Sequence, residues 1–200
     1  MKKKDKPETK NRFNREKANK LIKQLVYFGV VTFSIVFLIN IQTHLVSGDS
    51  MNPSLQNKDR LLIVKGKRPS RYSLVTFQSK EDKKKSFVKR VIGLPGDRVW
   101  LDQNTVYLNH QMVDTNPTPP NETNLSGVEL PDGTLKVRVS WEVAAKIQGM
   151  TTIPENQFFV LGDNRRNSAD SRNFGLVDLE QIEGVVSFRY YPLNKLGYVE

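Results

Sequence analysis

Residues 25–41 run Leu-Val-Tyr-Phe-Gly-Val-Val-Thr-Phe-Ser-Ile-Val-Phe-Leu-Ile-Asn-Ile without a single charge. As a helix rising about 1.5 Å per residue, this stretch is roughly 26 Å long, a little short of a hydrocarbon core of ~30 Å. Leu21 and Ile22 extend it if Lys20 and Lys23 snorkel to the headgroups. The segment predicts one membrane-spanning anchor over 25–43. A buried core helix has the same composition, and a cleaved signal peptide is a third option. No small-residue cleavage pattern follows, which argues against the last of these.

The chain's net charge of +10 points to nucleic acid until the charges are located. Residues 1–24 hold ten Lys and Arg against only Asp5, Glu8 and Glu16, so most of the excess is a local tail. A tail of this composition is expected to be disordered and cytoplasmic, since basic residues stay on the inner side of a membrane. It also suits anionic headgroups, which makes the lipid bilayer, not nucleic acid, the expected partner of this part; a membrane-tethered nucleic-acid binder is a rival suggested by the tail charge alone. Everything beyond about His44 then lies outside the cell. The absence of cysteine removes disulfides, thiolate catalysis and Cys-based zinc sites.

Strand signals dominate the outer part. Short apolar runs at 60–64, 74–77, 86–92 and 98–101 read as strands, with a solvated charged tip at 80–85. Leu94-Pro95-Gly96-Asp97 has the order of a type II turn. A hairpin around Asn109-His110, a loop at 116–121, a strand at 135–139 and a short helix at 141–147 follow. Strands return at 157–161 and 185–190. The expected fold is mainly β, a barrel-like or sandwich arrangement of short strands. Its catalytic domain comprises 44–103 and 153–200, and a β-rich sub-domain is inserted at 104–152.

Histidine is scarce. His44 stands at the membrane exit and His110 in a predicted turn, so a Ser-His-Asp triad has poor support. The G-x-S-x-G elbow, the phosphate-binding G-x-x-x-x-G-K-[ST] loop and H-E-x-x-H are all absent. Lysine is the other base available to a serine. In water its pKa of ~10.4 leaves about one molecule in 2,500 neutral at pH 7, a handicap of roughly 4.6 kcal/mol that burial can reduce. Strand alternation puts Phe87, Lys89 and Val91 on one face and Val88, Arg90 and Ile92 on the other. Lys89 thus falls between two apolar neighbours, although a strand-edge lysine reaching water fits the same residues.

Three blocks, taken in order, decide between these. Ser50-Met51-Asn52-Pro53, then Lys89-Arg90-Val91-Ile92-Gly93-Leu94-Pro95-Gly96-Asp97, then Gly162-Asp163-Asn164-Arg165-Arg166-Asn167-Ser168-Ala169-Asp170-Ser171-Arg172 follow the anchor. Over roughly 25–100 and 153–195 the chain closely resembles the bacterial type I signal peptidase (leader peptidase) family. The resemblance implies a Ser/Lys protease that removes signal peptides from exported preproteins, with no cofactor and no metal. By position, Ser50 would be the nucleophile, Lys89 the general base and Ser168 a hydroxyl that orients the lysine. Asp163, Asp170 and Arg172 would support the geometry, the last two as an ion pair. Val46, Met51, Leu55, Phe87 and Val88 would line pockets for small substrate residues at −1 and −3. They could equally be core.

The chain departs from the family pattern in places. Gly48 stands where some relatives carry a serine that donates to the oxyanion hole. Arg166 replaces a common Asp or Asn, and Tyr72-Ser73 replaces a common Gly-Asp. A catalytically silent relative acting as a chaperone or assembly factor, and a Ser/Lys peptidase with one dedicated substrate, are the alternative readings.

Overall fold

The computed structural model describes residues 7–80, 85–109, 128–129 and 133–199. Two compact units divide the chain, 1–41 and 42–200. The first is one long helix, α1 (Pro7–Asn40). Its stretch Lys17–Asn40 is long and apolar enough to cross a membrane, with a mean hydropathy of 2.0 in its most apolar window. At 1.5 Å per residue those 24 residues reach about 36 Å. Leu25, Phe28, Phe33 and Leu38 all stand more than 60% exposed along it, side chains made for lipid. The tail expected to be disordered is helical from Pro7. Once the apolar segment supplies the helical nucleus, each added residue gains a backbone hydrogen bond. The helix stops at Asn40, slightly before the expected 43.

The second unit is mainly β, in two sheets. The larger runs in the order β1 (Ile41–Leu45), β2 (Arg60–Val64), β11 (Ile182–Tyr191), β3 (Leu74–Gln78), β4 (Ser86–Gly93), β9 (Gln157–Leu161), β10 (Val177–Asp178), with β12 (Gly197–Tyr198) pairing β11. The smaller is β5 (Arg98–Asp102), β6 (Thr105–Asn109), β8 (Leu135–Arg138), β7 (Val128–Glu129). These are open sheets, so the barrel-like half of the expectation is not met: the described strands do not close a barrel. Helices α2 (Trp141–Ile147) and α3 (Ser171–Phe174) complete the unit.

The boundary drawn at 103/104 falls inside a β-hairpin, because β5 pairs with β6 from Arg98↔Asn109 to Asp102↔Thr105. The sheets also share a core. Ile92 of β4 and Phe159 and Leu161 of β9 pack in one cluster with Val99, Val106, Val137, Val143 and Ile147. The far arm of the hairpin predicted around Asn109-His110 and the loop at 116–121 lie outside the described residues.

The turn between β4 and β5 follows its sequence. Gly96 takes φ +86°, where a side chain would be strained, and Asp97 N–H donates to Leu94 O at 3.1 Å. Asp97 is buried, accepts from Leu94 N–H at 2.8 Å and pairs with Arg71 at 2.6 Å. That ion pair ties the turn to the segment before β3, so β4 is fixed at its far end.

Candidate active site

β4 holds the chemistry at its middle. It pairs with β3 through Val75↔Lys89 and with β9 through Arg90↔Leu161 and Val91↔Val160, so it is an interior strand. Alternation along it works as the sequence predicts. Phe87 and Val91 pack in one cluster with Val75, Phe77 and Val160, while Val88 packs in another with Val46, Met51 and Leu55. Lys89 is therefore carried into an apolar surround and is only 2% exposed. Its Nζ lies 2.7 Å from Ser50 Oγ and 2.9 Å from the Val88 carbonyl. Burial lowers its pKa to about 8; the negative charges of Asp170 and Asp163 oppose the shift but do not cancel it. At pH 7 the neutral fraction rises from about one in 2,500 to about one in ten.

Ser50 sits on a short loop pinned at both ends. Val46 N–H donates to Asp59 O and Lys58 N–H to Val46 O, both at 2.9 Å. Asp59 is buried, accepts from Gln56 N–H at 3.0 Å and pairs with Arg189 of β11 at 3.1 Å. Arg189 also donates to Ser54 O at 3.2 Å. From above, Asn164 N–H donates to Ser50 O at 3.0 Å and its side-chain amide to Asp49 O at 3.1 Å. The segment 162–172 thus clasps the loop by its backbone.

Gly162 explains how closely the clasp fits. A Cβ there would overlap the Ser168 side chain and meet Ser50 O at 2.6 Å, so only glycine brings these two serines together. Ser168 Oγ is buried and has no hydrogen-bond partner among the described residues. Asp170 caps α3, accepts from Gly162 N–H at 2.9 Å and pairs with Arg172 at 2.8 Å. Arg172 reaches back to Arg165 O at 2.7 Å.

Asp163 faces Arg90, the β4 residue beside Lys89, through two hydrogen bonds of 2.9 and 2.8 Å. Burial works to raise the Asp163 carboxyl, but hydrogen bonds from Arg90 and Ser54 and the Arg90 charge outweigh it and hold the group below the ordinary carboxylate range. Arg90 also donates to Tyr72 O at 2.7 Å. Tyr72 takes φ +64°, the left-handed region that favours glycine.

Of the five residues read as pocket walls, Val46, Met51 and Leu55 of the Ser50 loop form one cluster with Val88, all less than 9% exposed. Phe87 belongs elsewhere, stacked near Phe77 and Phe174. Gly48 has φ +85°, and its N–H donates to Asn57 Oδ1 at 3.2 Å, so that group is engaged and not aimed at a substrate oxygen. His44 is depressed in pKa by burial, with Glu183 acting in the opposite direction. His110 lies outside the described residues. No group of acidic, His or Cys side chains able to hold a metal occurs among the described residues. Sequence reading missed Asn164, Arg90, Asp59 and Arg189. Each acts through a contact between residues far apart in the chain, which no local pattern announces.

The mainly β unit thus holds a buried amine against a serine hydroxyl, two groups with the chemistry for hydrolysis. Comparison with known proteins agrees. The family described as "Signal peptidase, peptidase S26" matches residues 18–191, and the chain belongs to it. It is 34% identical over 176 residues to signal peptidase I of Bacillus caldolyticus, covering 86% of this chain and 91% of that one. Signal peptidase IB of Staphylococcus aureus is 34% identical over 175 residues, covering 84% and 88%. A crystal structure of a signal peptidase I from Enterococcus faecalis is 31% identical over 60% of this chain and 97% of that chain, with a TM-score of 0.38. The chain is thus a peptidase by family, and its N-terminal apolar helix fits a membrane-anchored protein.

Proposed function

We propose that this protein is a membrane-bound serine endopeptidase that cleaves N-terminal signal peptides from exported preproteins with a Ser50/Lys89 dyad. The observation that carries the reading is the 2.7 Å separation of Lys89 Nζ and Ser50 Oγ in a surround that lowers the lysine's pKa to about 8. Neutral Lys89 takes the Ser50 proton as Oγ attacks the scissile carbonyl. It then gives that proton to the departing amine, and the acyl-enzyme is hydrolysed by water with Lys89 again as base. The oxyanion faces Ser50 N–H, whose peptide plane is held by the Asn164 side-chain amide donating to Asp49 O at 3.1 Å. Gly48 supplies no side-chain donor, and its own N–H is engaged by Asn57.

Ser168, whose buried hydroxyl makes no hydrogen bond among the described residues, is the hydroxyl left to orient the Lys89 amine once Ser50 reacts. Asp163 with Arg90, and Asp170 with Arg172, hold the segments that present Lys89 and Ser168. The cluster of Val46, Met51, Leu55 and Val88 floors shallow pockets for small residues at −1 and −3 of an extended substrate. The apolar helix anchors the protein with its basic N-terminus in the cytoplasm and residues 42–200 outside. The remaining assignment is of roles along the chain: 44–103 with 153–200 catalytic and 104–152 a non-catalytic elaboration, the two joined through the β5–β6 hairpin and a shared core.

Purified full-length protein in detergent micelles, given a preprotein beside Ser50→Ala and Lys89→Ala, tests the reading. Each variant is expected to lose at least about a thousandfold in kcat/KM, and the double variant little more, because the two act as one unit. Cleavage that survives Ser50→Ala, or a wild type that does not cut, overturns it.

A further inference from the structure

Past the catalytic pair, β4 leads into a cleft of about 470 Å³ that the reaction described above leaves unused. Phe77, Phe87, Phe174, Leu176 and Val177 line it, and Ala169 closes the side next to Ser168. Its floor is a cluster of three rings, with centroids 5.8 Å apart for Phe77–Phe87, 5.8 Å for Phe77–Phe174 and 6.4 Å for Phe87–Phe174. This volume falls in the ~300–1,000 Å³ typical of binding clefts. Phe87, Phe174 and Leu176 are only partly buried, so a guest could still cover apolar surface there.

The cleft adjoins the reacting groups on the lysine's side. Lys89 Nζ is 5.8 Å from the centre of the Phe87 ring. The cluster assigned to the −1 and −3 residues contains Val88 and so lies across β4, while Phe87 packs on the Lys89 face. The amine released on acylation must take its proton from Lys89. The chain beyond the cut therefore departs past Lys89 and meets Phe87 and Ala169. Rim charges are matched in pairs, Lys146 with Glu142 at 2.7 Å and Lys80 with Asp178 at 2.9 Å. A charged guest finds no unmatched partner in these pairs, and an apolar one finds a ring-lined floor.

We infer that the cleft between β3, β4 and α3 is a subsite for an apolar side chain carried by the first residues of the substrate beyond the scissile bond. This rests on the peptidase reading and adds a specificity element to it. The test uses full-length protein in micelles and two preprotein series that keep one signal peptide. Each series varies the first or the second residue past the cut among Ala, Leu, Phe and Asp. For one of these positions, Leu or Phe is expected to raise kcat/KM about tenfold over Ala, and Asp to give no gain. Ala169→Leu, at an exposed position that narrows the cleft, should erase that preference while leaving the Ala substrate within about twofold. Phe174→Ala, which widens it, should shift the preference from Leu towards Phe. Equal rates across both series in wild type, or a preference unchanged in both variants, overturn the subsite while leaving the peptidase reading standing. Failure to cleave the Ala substrate in wild type sinks both together.

Discussion

Lys89 is an amine held where its charged form is least favoured. Its pKa of about 8 in the fold lies below the ~10.4 of an exposed lysine, burial being the main cause. Between those two values the unfolded chain binds more protons than the folded one, so stability rises with pH across roughly 8 to 10.4. Below pH 8 the full cost is present, about 3 kcal/mol at 1.36 per unit. Lys89→Met should therefore melt at a higher temperature than wild type at pH 7, by the equivalent of about 1–3 kcal/mol after the loss of the contacts to Ser50 and Val88. The gap should narrow by pH 10. The wild-type pH–rate profile is expected to climb tenfold per unit below about 8 and then level off, since only the neutral amine accepts the serine proton. A melting difference that ignores pH, or a profile flat from 6 to 9, contradicts this account.

Among the elements, the clasp of segment 162–172 on the nucleophile loop is the tightest fit in the site. Gly162→Ala adds one methyl where Ser50 O would lie 2.6 Å away and the Ser168 side chain would overlap. The loop has to move, and displacement of a nucleophile by a fraction of an ångström is expected to cost about a hundredfold in kcat. Kinetics on the variant, with circular dichroism to check that the sheets persist, decides the point; near-normal kcat would mean the clasp is slack. Local pattern along the chain announces some of these elements and not others. The β2, β3, β4, β9 and α2 segments were legible because alternation or short apolar runs repeat locally, and Lys89's face followed from counting by twos. The two-residue strands β7, β10 and β12 were not, since so short a run carries no periodicity. Ser50 and Lys89 were legible through their flanking residues. The Asp59–Arg189 and Arg90–Asp163 pairs were not, because they join positions 130 and 73 residues apart. Alternation placed Phe87 on the Lys89 face but does not give which core it joins: it packs with Phe77 and Phe174, apart from the cluster of Val46, Met51, Leu55 and Val88.

On the scale of the whole molecule, the unit formed by 42–200 holds its own two sheets and core clusters. Removing residues 1–40 is expected to leave that fold and its cleavage of a short soluble peptide within a few-fold of the full chain. The same truncation should slow processing of a preprotein embedded in lipid vesicles more than tenfold, because the anchor confines enzyme and substrate to one surface. Equal loss on both substrates would mean that the helix supports the fold. The shared core across the two sheets carries a different consequence, for how such a chain can vary over evolution. Ile92, Phe159 and Leu161 belong to the large sheet yet are covered by residues of the 98–152 segment. A descendant that shed that segment would bare a greasy flank on strands β4 and β9, close to Lys89. Trimming of this lineage is therefore confined to changes that either keep the second sheet or recolour all three of those positions at once.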